Sequence, residues 1–156
     1  MKITMAAEYA VRCVLYLAKQ GPGTLVSRQE IADRADVPSK FLAKIAQQLA
    51  RTGIIEIRQG AKGGYRLIRP PREITLLMVV ESIIGEIFLN ECAVRNDVCK
   101  SSATCTVNRI WKSARAQLRE TLQAVTFESL ASSPDCCGSG EAPPLPVLSL
   151  HPTAMP

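Results

Sequence analysis

Three of the six cysteines, Cys92, Cys99 and Cys105, stand within fourteen residues in the spacing C-x6-C-x5-C. Thiolates are soft donors, and three of them on one loop suit a soft transition metal or an iron–sulfur cluster. Asp97, between Arg95 and Lys100, makes the loop polar and accessible rather than core. A common zinc finger is not written here, because no C-x-x-C pair and no nearby histidine completes four ligands. The plain alternative is a solvated linker whose cysteines hold nothing. As it stands, the loop offers three ligands and lacks a fourth.

Little else in the chain can do chemistry. Cys13 falls on an apolar helical stripe and reads as core, where free cysteine is commonly found. Cys136 and Cys137 lie in a proline- and glycine-rich tail with His151, the only histidine. There they offer at most a redox pair or an adventitious ligand. The sequence has no G-x-x-x-x-G-K-[ST] loop and no Ser/His/Asp or Cys/His arrangement, so an enzyme is not expected.

What must position the loop is a mostly helical chain. Of its 156 residues 47% are hydrophobic and only 4% aromatic, an aliphatic composition that can bury one core. The most apolar run, residues 76–89, is broken by Glu81, Ser82, Gly85 and Glu86 and does not read as a membrane span. Met1-Lys2-Ile3-Thr4 does not open a signal peptide. A cytoplasmic protein with reduced thiols is expected, which favours metal or redox chemistry over structural disulfides. Charge is uneven: residues 1–75 hold 13 Lys+Arg against 6 Asp+Glu (+7), and the rest hold 6 against 8 (−2). An anionic partner is therefore expected on the first half.

Taken in order, residues 5–19 carry Ala6, Tyr9, Ala10, Cys13, Val14 and Leu17 at helical spacing, and Gly21-Pro22-Gly23 stops that helix. Ser27-Arg28-Gln29-Glu30 is a capping box opening a short helix that ends at Asp36-Val37-Pro38. The next helix, residues 39–51, places Phe41, Leu42, Ile45 and Leu49 on an expected core side. Lys40, Lys44, Gln47 and Arg51 stand on another. A short helix, a turn and a polar-faced helix are what a helix-turn-helix requires. Residues 54–58 and 65–69 then read as strands around the basic glycine turn Gln59-Gly60-Ala61-Lys62-Gly63-Gly64, a wing placed after a recognition helix.

The fold expected is mainly α with a small β-wing: a winged helix-turn-helix domain in residues 1–72, followed by the cysteine loop and dimerisation helices in 73–130. Residues 131–156, with six of the ten prolines, read as a disordered tail. Val107, Trp111, Ala114, Leu118, Thr121 and Val125 form a helix seam suited to a homodimer. Duplex DNA is the expected partner. Its contacts are assigned to Ser27 and Arg28 at the bracing helix, to Ser39, Lys40, Lys44 and Gln47 in the recognition helix, and to Arg58, Gln59, Lys62 and Gly63 in the wing, with Arg66 also able to meet phosphate.

The combination resembles the IscR/NsrR/RirA type of winged-helix regulators. It is carried by Glu8-Tyr9-Ala10-Val11, Ile31-Ala32, the helix end from Leu49 to Gly53, the wing Gly60-Ala61-Lys62-Gly63-Gly64-Tyr65, and three cysteines before a Trp-bearing helix. The resemblance runs from Met1 to about Leu130. It implies a homodimeric transcriptional regulator on palindromic promoter DNA, with a [2Fe–2S] or [4Fe–4S] cluster held by Cys92, Cys99 and Cys105 and sensing redox state, nitric oxide or iron supply. The first interval here is six residues where the best-known members have five. Some members take a fourth ligand three residues after the last cysteine, where this chain has Asn108. Others use a carboxylate near the start of the first helix, contributed by the partner subunit, and Glu8 stands at the matching place. Read from the residues alone, Glu8 is a dipole-favoured first-turn acid paired with Arg12, and it is the resemblance that offers it as a ligand. A cluster-free switch, with a reversible Cys99–Cys105 disulfide on the same DNA-binding fold, is the alternative.

Overall fold

In the computed structural model, residues 3–60, 62–95, 99, 101 and 104–133 are described. The expected tail, with Cys136, Cys137 and His151, and the loop residues Asp97 and Lys100 lie outside them. Helix α1 spans Met5–Lys19, capped by the Thr4 hydroxyl accepting from the Ala7 amide, and buries Ala7, Ala10, Cys13, Val14, Leu17 and Ala18. Helices α2 (Arg28–Arg34) and α3 (Ser39–Arg51) follow. Between them Asp36 holds φ 51°, in the left-handed region that a short polar side chain tolerates. Arg12 of α1 donates to the Asp36 carboxylate at 3.1 Å and to Glu8 at 2.6 Å, tying the first helix to the turn.

The capping box forms on one side only. The Ser27 hydroxyl accepts from the Glu30 amide at 3.2 Å, but the Glu30 carboxylate takes the Tyr16 hydroxyl at 2.9 Å instead of reaching back. A second departure concerns Phe41. It is 43% exposed, and the core side of α3 is Leu42, Ile45, Ala46 and Leu49. The apolar character of Phe41 predicts burial, but the ring packs against that of Tyr9 on α1, 5.9 Å away, at the edge of the core.

Gly53, at φ 69°, turns the chain out of α3 into β1 (Ile55–Arg58), which pairs antiparallel with β2 (Gly64–Leu67) in the register Ile55↔Leu67 to Arg58↔Gly64. The pair gains a third member in Val26, whose amide and carbonyl both bond Tyr65, at 3.0 and 2.8 Å. That approach needs glycine at position 64, because a Cβ there would lie 2.1 Å from the Val26 oxygen. The wing is thus bonded to the residue that precedes the α2 cap.

Helix α4 (Leu76–Ile84) is capped by Thr75 and ends at Gly85, with φ 78°. After the cysteine loop come α5 (Thr106–Ala124) and a six-residue helix, α6 (Phe127–Ser132), that the sequence reading did not separate. The Thr75–Thr126 bridge, with Leu76 donating to Val125 and Phe127 to Ile74 at 2.9 Å each, ties the start of α4 to the junction of α5 and α6. Phe127, Ile74 and Val79 are buried in one core with Cys13, Leu17 and Leu49. Leu77, Val80 and Ile87 form a smaller cluster, against which Leu118 and Leu122 of α5 pack.

Candidate nucleic-acid interface and cysteine loop

The exposed side of α3 gathers the cations and amides expected of it. Lys40, Lys44, Gln47 and Arg51 are all exposed, while Ser39 is half-buried at the helix start. Ser27 and Arg28 are exposed at the start of α2; the Ser27 hydroxyl is engaged as the cap, so its backbone and Arg28 remain for an anion. The Lys40 ammonium sits 5.2 Å over the Phe41 ring, and Arg12 sits 5.9 Å from the Tyr9 ring.

In the wing, Gln59 and Lys62 are exposed and Gly63 is half-buried. A Cβ on Gly63 would lie 2.3 Å from the Arg58 carbonyl, so this glycine serves the closure of the turn. Arg58 and Arg66 are not simple cations awaiting phosphate: Glu56 takes both, Arg66 at 2.6 Å and Arg58 at 3.2 Å. Hydrogen bonds from Arg66 and then Arg58 hold the Glu56 carboxyl below its ordinary range. Glu56 leaves the two arginines with one net positive charge between them. No sequence pattern marked this role, which arises from the Glu56↔Arg66 register.

The cysteine loop begins and ends at ordered elements. Cys92 lies in a 3₁₀ turn, Glu91–Ala93, and Cys105 is the N-cap residue of α5. Both are half-buried, Cys99 is exposed, and all three are free thiols. Asn108 joins the two ends: only 2% exposed, it donates from its side-chain amide to the Cys92 carbonyl at 2.5 Å. Nothing in the sequence marks this tie, where Asn108 stands only at the place of some members' fourth ligand. The approach to the loop is clasped as well. Glu81 of α4 accepts from the Ile87 amide at 2.9 Å and from Arg119, while Arg115 donates to the Ile87 carbonyl at 2.7 Å and pairs with Glu86.

The three thiols are the donor type that an iron–sulfur cluster takes, and Asn108 ties two of the segments that carry them. Among the described residues, however, no three His, Cys, Asp or Glu side chains converge. Glu8 is exposed and engaged with Arg12, as its first-turn position favours. Beyond the loop, α5 exposes Val107 (55%), Ile110 (63%) and Trp111 (37%) in one stretch of its surface. Among the described residues no helix is long and apolar enough to cross a membrane.

Comparison with known proteins places these features together. A family model described as "Rrf2: Iron-dependent Transcriptional regulator" matches residues 3–133. The chain is 35% identical over 134 residues to Protein aau3 of Rhizobium meliloti, covering 85% of this chain and 86% of that one. It is 30% identical over 136 residues to the HTH-type transcriptional regulator NsrR of Shouchella clausii, covering 86% and 91%. Among solved structures it resembles CymR (YrzC), the global cysteine regulator of B. subtilis, with TM-score 0.68 and 27% identity over 86% of this chain and 99% of that one.

Proposed function

The chain belongs to the Rrf2 family of DNA-binding transcriptional regulators, which are not enzymes, and from that premise we propose that it is a homodimeric repressor or activator whose DNA affinity follows an iron–sulfur cluster. Cys92, Cys99 and Cys105 would hold the cluster, with Glu8 of the partner subunit as the fourth ligand. When bound, a [2Fe–2S] or [4Fe–4S] cluster supplies iron that reacts with oxygen or nitric oxide and a charge that changes with redox state. The chain's own residues do the rest. Asn108 sets the distance between the loop's ends, and the Glu81–Arg119 and Arg115–Glu86 pairs pass the loop's position to α4 and α5.

On the DNA side, Lys40 and Lys44 meet phosphates and Gln47 reads a base edge, while Arg58, Gln59, Lys62 and the Gly63 backbone follow the groove. Ser27 and Arg28 steady the backbone, and Ser39 sits at the recognition helix's start. Two protomers joined through the exposed apolar surface of α5 would present two such units to a palindromic promoter site. The observation that carries the sensing part is the Asn108 bond, which draws two cysteine-bearing segments together where an idle linker needs no such tie.

Anaerobic purification followed by absorbance, iron and sulfide analysis tests it. The expected protein is coloured and carries iron and sulfide, and losing them changes its affinity for promoter DNA. A colourless protein that stays iron-free after reconstitution overturns the cluster. The thiol switch rests on the exposure of Cys99. It predicts instead that Cys99→Ser and Cys105→Ser abolish a peroxide response in a protein that holds no iron.

A further inference from the structure

We infer that Phe41 reads the 5-methyl group of a thymine in each half-site, an inference that rests on the reading of α3 as the helix entering the major groove. Residues at the N-terminal end of a recognition helix reach base edges, and Phe41 lies in the first turn of α3. It is 43% exposed although its neighbours Leu42 and Ile45 are buried. It adjoins Lys40 and lies one turn before Lys44, two of the groups that would meet DNA. The ring is not loose: Tyr9 supports it at 5.9 Å with an interplanar angle of 35°, and the Lys40 ammonium lies 5.2 Å from its centre. A ring held this way has little freedom left to lose on binding.

Chemistry then narrows what it can touch. A phenyl ring offers no hydrogen-bond donor or strong acceptor, so it gains nothing from phosphate oxygens or from the polar atoms of base edges. In the major groove the apolar group on a base edge is the thymine methyl, and phenylalanine is among the side chains that contact it. The cations beside Phe41 supply affinity for any duplex, whereas Phe41 separates thymine from cytosine.

The test starts with selection of random duplexes by the full-length chain, purified anaerobically. Each thymine of the recovered half-site is then replaced in both halves by deoxyuridine, which removes only the methyl. Binding is followed by fluorescence anisotropy. At one thymine the natural protein should lose about fourfold in affinity per half-site, the worth of a buried methyl. Phe41→Ala should lose nothing at that position while keeping its response elsewhere, and Phe41→Leu should keep part of it. A natural protein indifferent to every replacement overturns the inference whether or not the variants fold. So does a Phe41→Ala protein with the full methyl dependence, which would leave Phe41 a packing partner of Tyr9. Recovery of no common sequence would instead remove the DNA-reading role of α3 itself, and Phe41 with it.

Discussion

Two buried groups show how much depends on single atoms. Asn108 is buried, and its amide satisfies the Cys92 carbonyl. Asn108→Ala should cost about 1–3 kcal/mol in urea unfolding, the loss expected when a buried acceptor is orphaned. It should also lower the iron retained by reconstituted protein, measured by iron analysis; full stability and full iron content would mean that the bond holds nothing. Cys13 is a thiol of a different kind. Burial pushes it up to about 12 from an ordinary 9.0. The folded chain therefore keeps that proton between pH 9 and 12 while the unfolded chain releases it, so stability is intact below pH 9 and falls as pH rises through the interval. Cys13→Ala should show a shallower fall than the natural protein when both are unfolded in urea across that range. Cys13 should also resist alkylation in the folded protein at neutral pH, since a protonated, covered thiol is a poor nucleophile.

At the level of elements, the wing is the most constrained piece. Gly64→Ala must push a methyl into the Val26 carbonyl, so a loss of about 1–3 kcal/mol is expected, together with weaker DNA binding. Thermal unfolding and anisotropy read the two effects, and a stable variant with unchanged affinity would show that the wing can shift freely. Lys62→Ala leaves the fold alone and should weaken binding to all duplexes, lowering the slope of log K against log salt by about one. An unchanged slope would take Lys62 off the interface. Much of this architecture was legible beforehand because it follows local rules. The α1 stripe, the Ser27 cap, the break at Pro38 and the glycine turn of the wing each arise within a few residues. What was not legible depends on distant neighbours. Tyr16 claimed Glu30, Tyr9 rather than the core received Phe41, and Asn108 found a carbonyl sixteen residues away. Helix α6 escaped because six residues are too few to display a period. The cysteine spacing pointed to its chemistry, but which groups hold the loop's ends together emerged only once the chain was folded.

Across the whole molecule, α4 and α6 share one core with α1 and α3, while one surface of α5 keeps its apolar residues uncovered. Ile110→Glu should leave the protomer folded, since Ile110 is 63% exposed, but should yield monomers in analytical ultracentrifugation and weaken binding to a two-half-site duplex more than to a single half-site. A dimer that survives the substitution would place the subunit contact elsewhere. Within each protomer, the Val26–Tyr65 bonds join the hairpin to the segment before α2, and Arg12 of α1 pairs with Asp36 in the turn. On the proposed function, each half would then read the same letters in every state of the sensor, and the variable left to regulation would be the gap between the two halves. Promoters answering to different states should then share their half-site words and differ in spacer length, so that inserting a single base pair between the halves can reassign a gene from one condition to another.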